Sequence, residues 1–187
     1  RLLVRAAPLL CHTTRHHTWP QSHIERGVHR CSAGIEIPCS VSTYNNLTDQ
    51  ISMGACTACP SNSRSDAAST SVADCYCEAG YYDELSESND VSCVLCTVGA
   101  DCTKPDLTLA SLPLERGYYR TSTVSADLRR CPDYGDSSGC VGGVGDGEGP
   151  CKEWLTGPYC LLCNVTDSSR YYDAEESACL VCSGDAA

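Results

Sequence analysis

The residues able to do chemistry in this chain are its cysteines, seventeen in 187 residues. Cys56 and Cys59, Cys93 and Cys96, Cys160 and Cys163, and Cys179 and Cys182 form Cys-x-x-Cys pairs, and Cys75-Tyr-Cys77 is a Cys-x-Cys. Thiols so spaced support cross-linking, thiol–disulfide exchange or metal ligation. In an extended segment, residues i and i+2 project from the same face, so Cys75 and Cys77 can hold two different partners side by side.

Zinc is the serious competitor to cross-linking. Cys160-x-x-Cys163, fifteen residues, then Cys179-x-x-Cys182 falls inside the spacing of four-thiolate zinc sites. Three features weigh against it. A glycosylation sequon, Asn164-Val-Thr166, sits between the two knuckles, the Cys75-x-Cys77 stretch breaks the pattern, and thirteen further cysteines would be left without an explanation in a reducing cell. Disulfides in an oxidising compartment are therefore expected, in agreement with a second sequon, Asn46-Leu-Thr48. Asn46 and Asn164 are the candidate glycosylation sites.

Enzymatic chemistry finds little support, and no cofactor is expected. All five histidines (His12, His16, His17, His23 and His29) lie in the first 30 residues, which leaves the cysteine-rich region without an imidazole base. No thioredoxin-like strand–helix pattern surrounds any Cys-x-x-Cys. Glu175 and Glu176 are neighbours in a polar loop, where acids are solvated. Asp133, Asp136, Asp146 and Glu148 lie in Gly-rich loops that could wrap calcium, but no EF-hand spacing is present. The His and Cys11 cluster is a further, weak metal candidate.

Composition bounds the fold. Phe is absent, Trp occurs twice and Met once, while Tyr occurs ten times. Too few large apolar side chains are available for a core in proportion to the length, so stability must come from cross-links. The net charge of −11 argues against nucleic-acid or anionic-membrane partners. The longest apolar candidate, Leu107 to Leu114, is short and broken by Pro113, so membrane attachment would need a segment outside this chain.

Cys56-Thr-Ala-Cys59-Pro-Ser-Asn-Ser, followed by Cys75-Tyr-Cys77-Glu-Ala-Gly-Tyr-Tyr and Cys93, looks like the tail of an EGF-like module. It resembles more closely the cysteine-rich segment of ephrin-receptor ectodomains. Leu112-Pro-Leu-Glu-Arg-Gly-Tyr-Tyr, with Cys131-Pro, Cys140 and Gly157-Pro-Tyr-Cys160-Leu-Leu-Cys163, is similar to ephrin-receptor-like repeats in large surface proteins of single-celled eukaryotes. Cys151-Lys-Glu-Trp154-Leu-Thr-Gly157-Pro-Tyr-Cys160 matches the last loop of an EGF-like or laminin-type repeat in part, with Glu153 where those modules carry Gly. The resemblance implies that Cys77 pairs with Cys93, and Cys75 with Cys59 or Cys56. A loop from Cys59 to Cys75 would add about 3 kcal/mol by chain entropy. Gly80 is expected to turn the backbone where a side chain would clash, and Tyr81 or Tyr82 to cover the bridges.

An internal repeat agrees with modules. Tyr81-Tyr82-Asp83 leads to Cys93-Val-Leu-Cys96, as Tyr171-Tyr172-Asp173 leads to Cys179-Leu-Val-Cys182. Because seventeen is odd, at least one cysteine lacks an internal partner. The repeat points to Cys182, whose counterpart of Cys102 would be the residue after Ala187, as if the chain were part of a longer protein cut inside a repeat. Cys11 is the rival.

The expected architecture is small and disulfide-rich: tandem EGF-like or ephrin-receptor-like modules of short β-hairpins and many loops, with little helix. Its parts are an anomalous N-terminal extension (1–30), holding five of the 13 basic residues and one of the 24 acids; a partial repeat (31–55); a module at 56–102; a cysteine-free connector (103–130), read as a strand or hairpin; and a second module at 131–187. Segment 142–149 is expected to be a flexible Gly-rich excursion. Cys59, Cys75, Cys77, Cys93, Cys96, Cys102, Cys131, Cys140, Cys151 and Cys160 are the leading disulfide candidates. Trp154 and the Tyr-Tyr pairs are expected to pack over disulfides rather than to form a binding face. The expected role is a non-catalytic spacer or ligand-binding ectodomain of a larger cell-surface protein, meeting a protein or glycan ligand. A secreted matrix or wall component is the alternative, and an intracellular zinc-binding adaptor the alternative of another class.

Overall fold

The computed structural model describes residues 26, 28–30, 36–50, 52–85, 89–133, 135–144, 151–164 and 169–182. Among them the strands form seven two-stranded sheets, and the helical segments are three 3-10 turns of three residues each. This is a small disulfide-rich fold of hairpins and loops. Isolated two-stranded hairpins are marginal in water, so the bridges between them carry the stability. The chain divides into two compact units, Arg1–Cys75 and Tyr76–Ala187.

In the first unit, Val28–Arg30 pairs antiparallel with Glu36–Pro38. Two cross-linked loops of like construction follow. After Cys39, the Thr43 N–H and hydroxyl both donate to the Ser40 carbonyl, at 3.1 and 2.7 Å. After Cys59, the Ser63 N–H and hydroxyl donate to the Pro60 carbonyl, at 3.2 and 2.7 Å. Ser42 and Asn62 take the matching left-handed position, with φ of 64° and 61°. Each loop then closes through a 3-10 turn, Met53–Ala55 before Cys56 and Val72–Asp74 before Cys75. Thus residues 31–55, expected to hold only the partial end of a repeat, carry from Cys39 onward a full counterpart of the 59–75 loop. Hydroxyl-closed turns build both, and Ser40 serves where the recognisable motif has Pro60.

Polar groups in this unit find partners within it. Asn45, 1% exposed, accepts from the Leu47 N–H and donates its own N–H to the Ser69 carbonyl. Ser71 and Asp74 form a capping box. The Thr70 N–H, with the Ser71 N–H and Thr70 hydroxyl, holds the Asp74 carboxyl below its usual pKa.

Among its described residues the second unit contains four hairpins. Tyr81–Asp83 pairs with Cys93–Leu95, Tyr118–Tyr119 with Arg129–Arg130, Leu155–Thr156 with Leu162–Cys163, and Arg170–Asp173 with Ala178–Val181. Two small cores support them. One joins Tyr82, Ala100, Cys102 and Leu112, with Val94, Cys96, Leu107 and Leu109 packed around. The other is built largely of sulfur: Cys131, Cys140, Cys160 and Cys179 with Tyr119 and Leu155.

The cysteine-free stretch does form a hairpin, at 118–130, but its leucines do not form a strand. Their alternation fails at Ala110-Ser111, where the Thr108 and Ser111 hydroxyls and backbone close a turn. Leu112 is fully buried beside Tyr82. The Asp83 N–H donates to the Leu107 carbonyl and the Leu109 N–H to the Asp83 carbonyl, both at 2.8 Å. Residues 107–109 are thereby laid along the edge of the first hairpin.

Arg120 fixes this arrangement. It is completely buried, and its guanidinium donates to the carbonyls of Leu109 (2.7 Å), Ala110 (3.2 Å) and Thr123 (3.4 Å). Gly142 allows a close backbone approach: at φ +80° its Cβ would lie 2.6 Å from the Leu114 carbonyl oxygen. Gly143, within the stretch expected to be a free excursion, exchanges two 2.8 Å hydrogen bonds with Leu114. Residues 145–150 lie outside the described set. At Gly80 the space is open rather than crowded, and what requires glycine is φ, +89°.

Candidate functional site: the cysteine ladder and the last hairpin

Each described bridge joins cysteines that are neighbours along the chain: Cys39–Cys56, Cys59–Cys75, Cys77–Cys93, Cys96–Cys102, Cys131–Cys140, Cys151–Cys160 and Cys163–Cys179. Their Cα–Cα separations run from 5.4 to 6.6 Å, inside the disulfide range. No loop encloses the end of another. In each complete Cys-x-x-Cys, the first sulfur closes one loop and the second opens the next. Cys75 and Cys77 likewise hold separate partners, and Cys56 bonds Cys39 rather than Cys75. Cys182 is the free cysteine among the described residues and is exposed; its rival Cys11 lies outside them.

The four thiols of the zinc arrangement do not converge. Cys160 is bonded to Cys151, and Cys163 to Cys179, which leaves Cys182 alone. The spacing of two knuckles cannot tell a four-sulfur site from two closed loops. A different trio, Cys131, Asp133 and Cys140, has donor atoms within 4.8 Å of one another. Its two sulfurs are bonded to each other and have no thiolate to offer.

Asp133 is engaged by its own loop, accepting from the Gly139 N–H at 2.8 Å and the Ser138 hydroxyl at 3.0 Å. Burial works to raise its pKa, but the Gly139 N–H and the Ser177 and Ser138 hydroxyls outweigh it, so the value lies below the usual one. Asp136 is exposed, and Asp146 and Glu148 fall outside the described residues. Of the histidines, only His29 falls among the described residues, in the strand Val28–Arg30. Glu175 and Glu176 are exposed in the last hairpin turn.

Asn46 and Asn164 are both exposed. The aromatics divide into two groups. Tyr82, Tyr118 and Tyr119 are buried, with the Tyr119 and Tyr159 rings 5.1 Å apart among the cysteines. Trp154 and Tyr171 are 40% and 48% exposed, and the Arg170 guanidinium lies 4.2 Å from the centre of the Trp154 ring, a cation–π contact. Here the expectation that aromatics pack over bridges is incomplete.

Two further residues carry weight that composition hides. Arg120 is one. Lys152 is the other, its ammonium donating to the carbonyls of Ser137, Glu176 and Ser177 and so tying two loops together. A long cation aimed at backbone carbonyls leaves no periodic trace in sequence.

Comparison with family models, with curated proteins and with solved structures found no match. Among the described residues no helix is long and apolar enough to cross a membrane. Cross-linking at this density is typical of secreted and extracellular cysteine-rich domains.

Proposed function

We propose that this chain is a non-catalytic extracellular repeat region, of the ephrin-receptor-like kind, serving as spacer or ligand-binding part of a larger cell-surface protein. The observation that carries the reading is the neighbour-to-neighbour ladder of bridges. Such a ladder cross-links each short loop separately and tolerates repetition, because no loop depends on a distant cysteine. The repeated turn after Cys39 and Cys59, and the repeated hairpin before Cys96 and Cys182, support the same reading. The acids with depressed pKa values, Asp74, Asp101 and Asp133, each accept hydrogen bonds from their own turns, which supports structural rather than catalytic roles. The partner on this reading is a protein or glycan, and attachment to the membrane is through a segment beyond these residues.

The test is expression in a eukaryotic secretory host. The reading expects secretion, glycans on Asn46 and Asn164, and no stoichiometric zinc. Retention in the cytosol as a reduced, zinc-loaded protein would overturn it in favour of the adaptor.

A further inference from the structure

The repeated Tyr-Tyr-Asp letters align Tyr82 with Tyr172, but hydrogen-bond register aligns Tyr82 with Tyr171. In the first hairpin the Cys96 N–H donates to the Gly80 carbonyl, Tyr82 lies opposite Val94 and Asp83 opposite Cys93. In the last, the Cys182 N–H donates to the Ser169 carbonyl, Tyr171 lies opposite Leu180 and Tyr172 opposite Cys179. Tyr82, Val94 and Cys96 therefore correspond to Tyr171, Leu180 and Cys182. The shift by one follows from the turns, since Asp173 pairs directly with Ala178 whereas Asp83 must reach Cys93 across a longer loop.

The two faces differ in cover. Tyr82 is 4% exposed because Ala100, Cys102 and Leu112 lie over it, with Leu107 and Leu109 alongside. Cys102 bonds Cys96, and residues 107–109 run along the strand edge at Asp83. On the last hairpin, Tyr171 is 48% exposed, Leu180 is half-buried and Cys182 is an exposed free thiol. Residues 183–187 contain no cysteine.

We infer that the face made by Tyr171, Leu180 and Cys182 is the docking site for a cysteine-bearing, leucine-rich polypeptide segment of the type of residues 97–112. That segment lays its leucines over Tyr171 and bonds its sulfur to Cys182. Two thiols become one disulfide, and a low-molecular-weight disulfide takes up the two electrons and two protons, becoming two thiols. The covalent step in the cell rests on the oxidising compartment proposed above, whereas recognition of the segment does not.

The probe is a synthetic peptide with the sequence of residues 97–112, its cysteine activated as a thiopyridyl disulfide. Attack by the Cys182 thiolate breaks that bond and releases thiopyridone, so neither the compartment nor an added oxidant enters the measurement. With the full 187-residue chain, coupling at Cys182 should be about tenfold faster than with a scrambled peptide of equal composition, because docking raises the local concentration of the reacting sulfur. Tyr171→Ser should abolish the preference, and Cys182→Ser supplies the blank. Equal rates for native and scrambled peptides would overturn the inference, as would preferential Cys182–Cys182 linkage between two copies of the chain.

Discussion

Asp83 and Asp173 cap two different hairpins in the same way. Oδ1 of Asp83 accepts from the N–H groups of Leu85 (3.1 Å) and Ser92 (2.9 Å), and Oδ1 of Asp173 from those of Glu175 (3.0 Å) and Glu176 (2.9 Å). An aspartate that accepts from the backbone two residues on begins a turn at little cost. Loss of the cap by Asp173→Ala should lower stability by roughly 1 kcal/mol, and Asp173→Asn by less, since its amide oxygen still accepts. Denaturant unfolding with the bridges intact would measure both.

Arg120 should be the most sensitive non-cysteine side chain. Arg120→Met keeps much of the volume but strips donors from the carbonyls of Leu109 and Ala110. The expected loss is roughly 1.5–3 kcal/mol, the range for hydrogen bonds to a charged group. A variant as stable as the parent would mean that the guanidinium does not hold the 107–112 turn against Tyr82.

Gly142→Ala should be destabilising on two grounds: a left-handed φ of +80° and a Cβ only 2.6 Å from a backbone oxygen. The combined cost is of order 1–3 kcal/mol, since backbone cannot move aside as a flexible side chain would. Gly80→Ala, also at positive φ but in open space, should cost about 1 kcal/mol. Comparing unfolding midpoints of the two variants separates close approach from φ alone.

Acid should loosen the Cys131–Cys140 loop through Asp133. Its folded pKa is depressed, so the stability it contributes is complete above the unfolded value of about 4 and is lost as pH falls through the lower folded value. Asp133→Asn should therefore be less stable than the parent near neutrality, with a smaller further loss on acidification. Amide hydrogen exchange at Gly139 and Cys140, followed against pH, reads this directly; a parent and variant with the same pH profile would count against it.

Much of the architecture was legible because cysteine and glycine are explicit about geometry. The Cys75-x-Cys77 spacing allowed two separate partners, and the bridges run from Cys75 to Cys59 and from Cys77 to Cys93. Absent Phe and scarce Trp foretold small cores, and the second is indeed largely sulfur. What stayed hidden depended on contacts between residues distant in sequence. Nothing local marks Leu112 as the cover of Tyr82, or Arg120 as the clamp on Leu109. The copy that begins at Cys39 was obscured because Ser40 and Ser42 make the turn that Pro60 and Asn62 announce openly. Register was hidden as well: Tyr-Tyr-Asp repeats in letters, while turn length moves Tyr171 into the place of Tyr82.

The ladder itself is tested most directly by mapping the disulfides of the unreduced protein made in a secretory host, with proteolysis and mass spectrometry. The account predicts peptides joined as Cys39–Cys56, Cys59–Cys75, Cys77–Cys93, Cys96–Cys102, Cys131–Cys140, Cys151–Cys160 and Cys163–Cys179, with Cys182 bonded to none of them. Crossed pairings such as Cys56 with Cys75, or Cys160, Cys163, Cys179 and Cys182 recovered as thiols with one zinc, would contradict it.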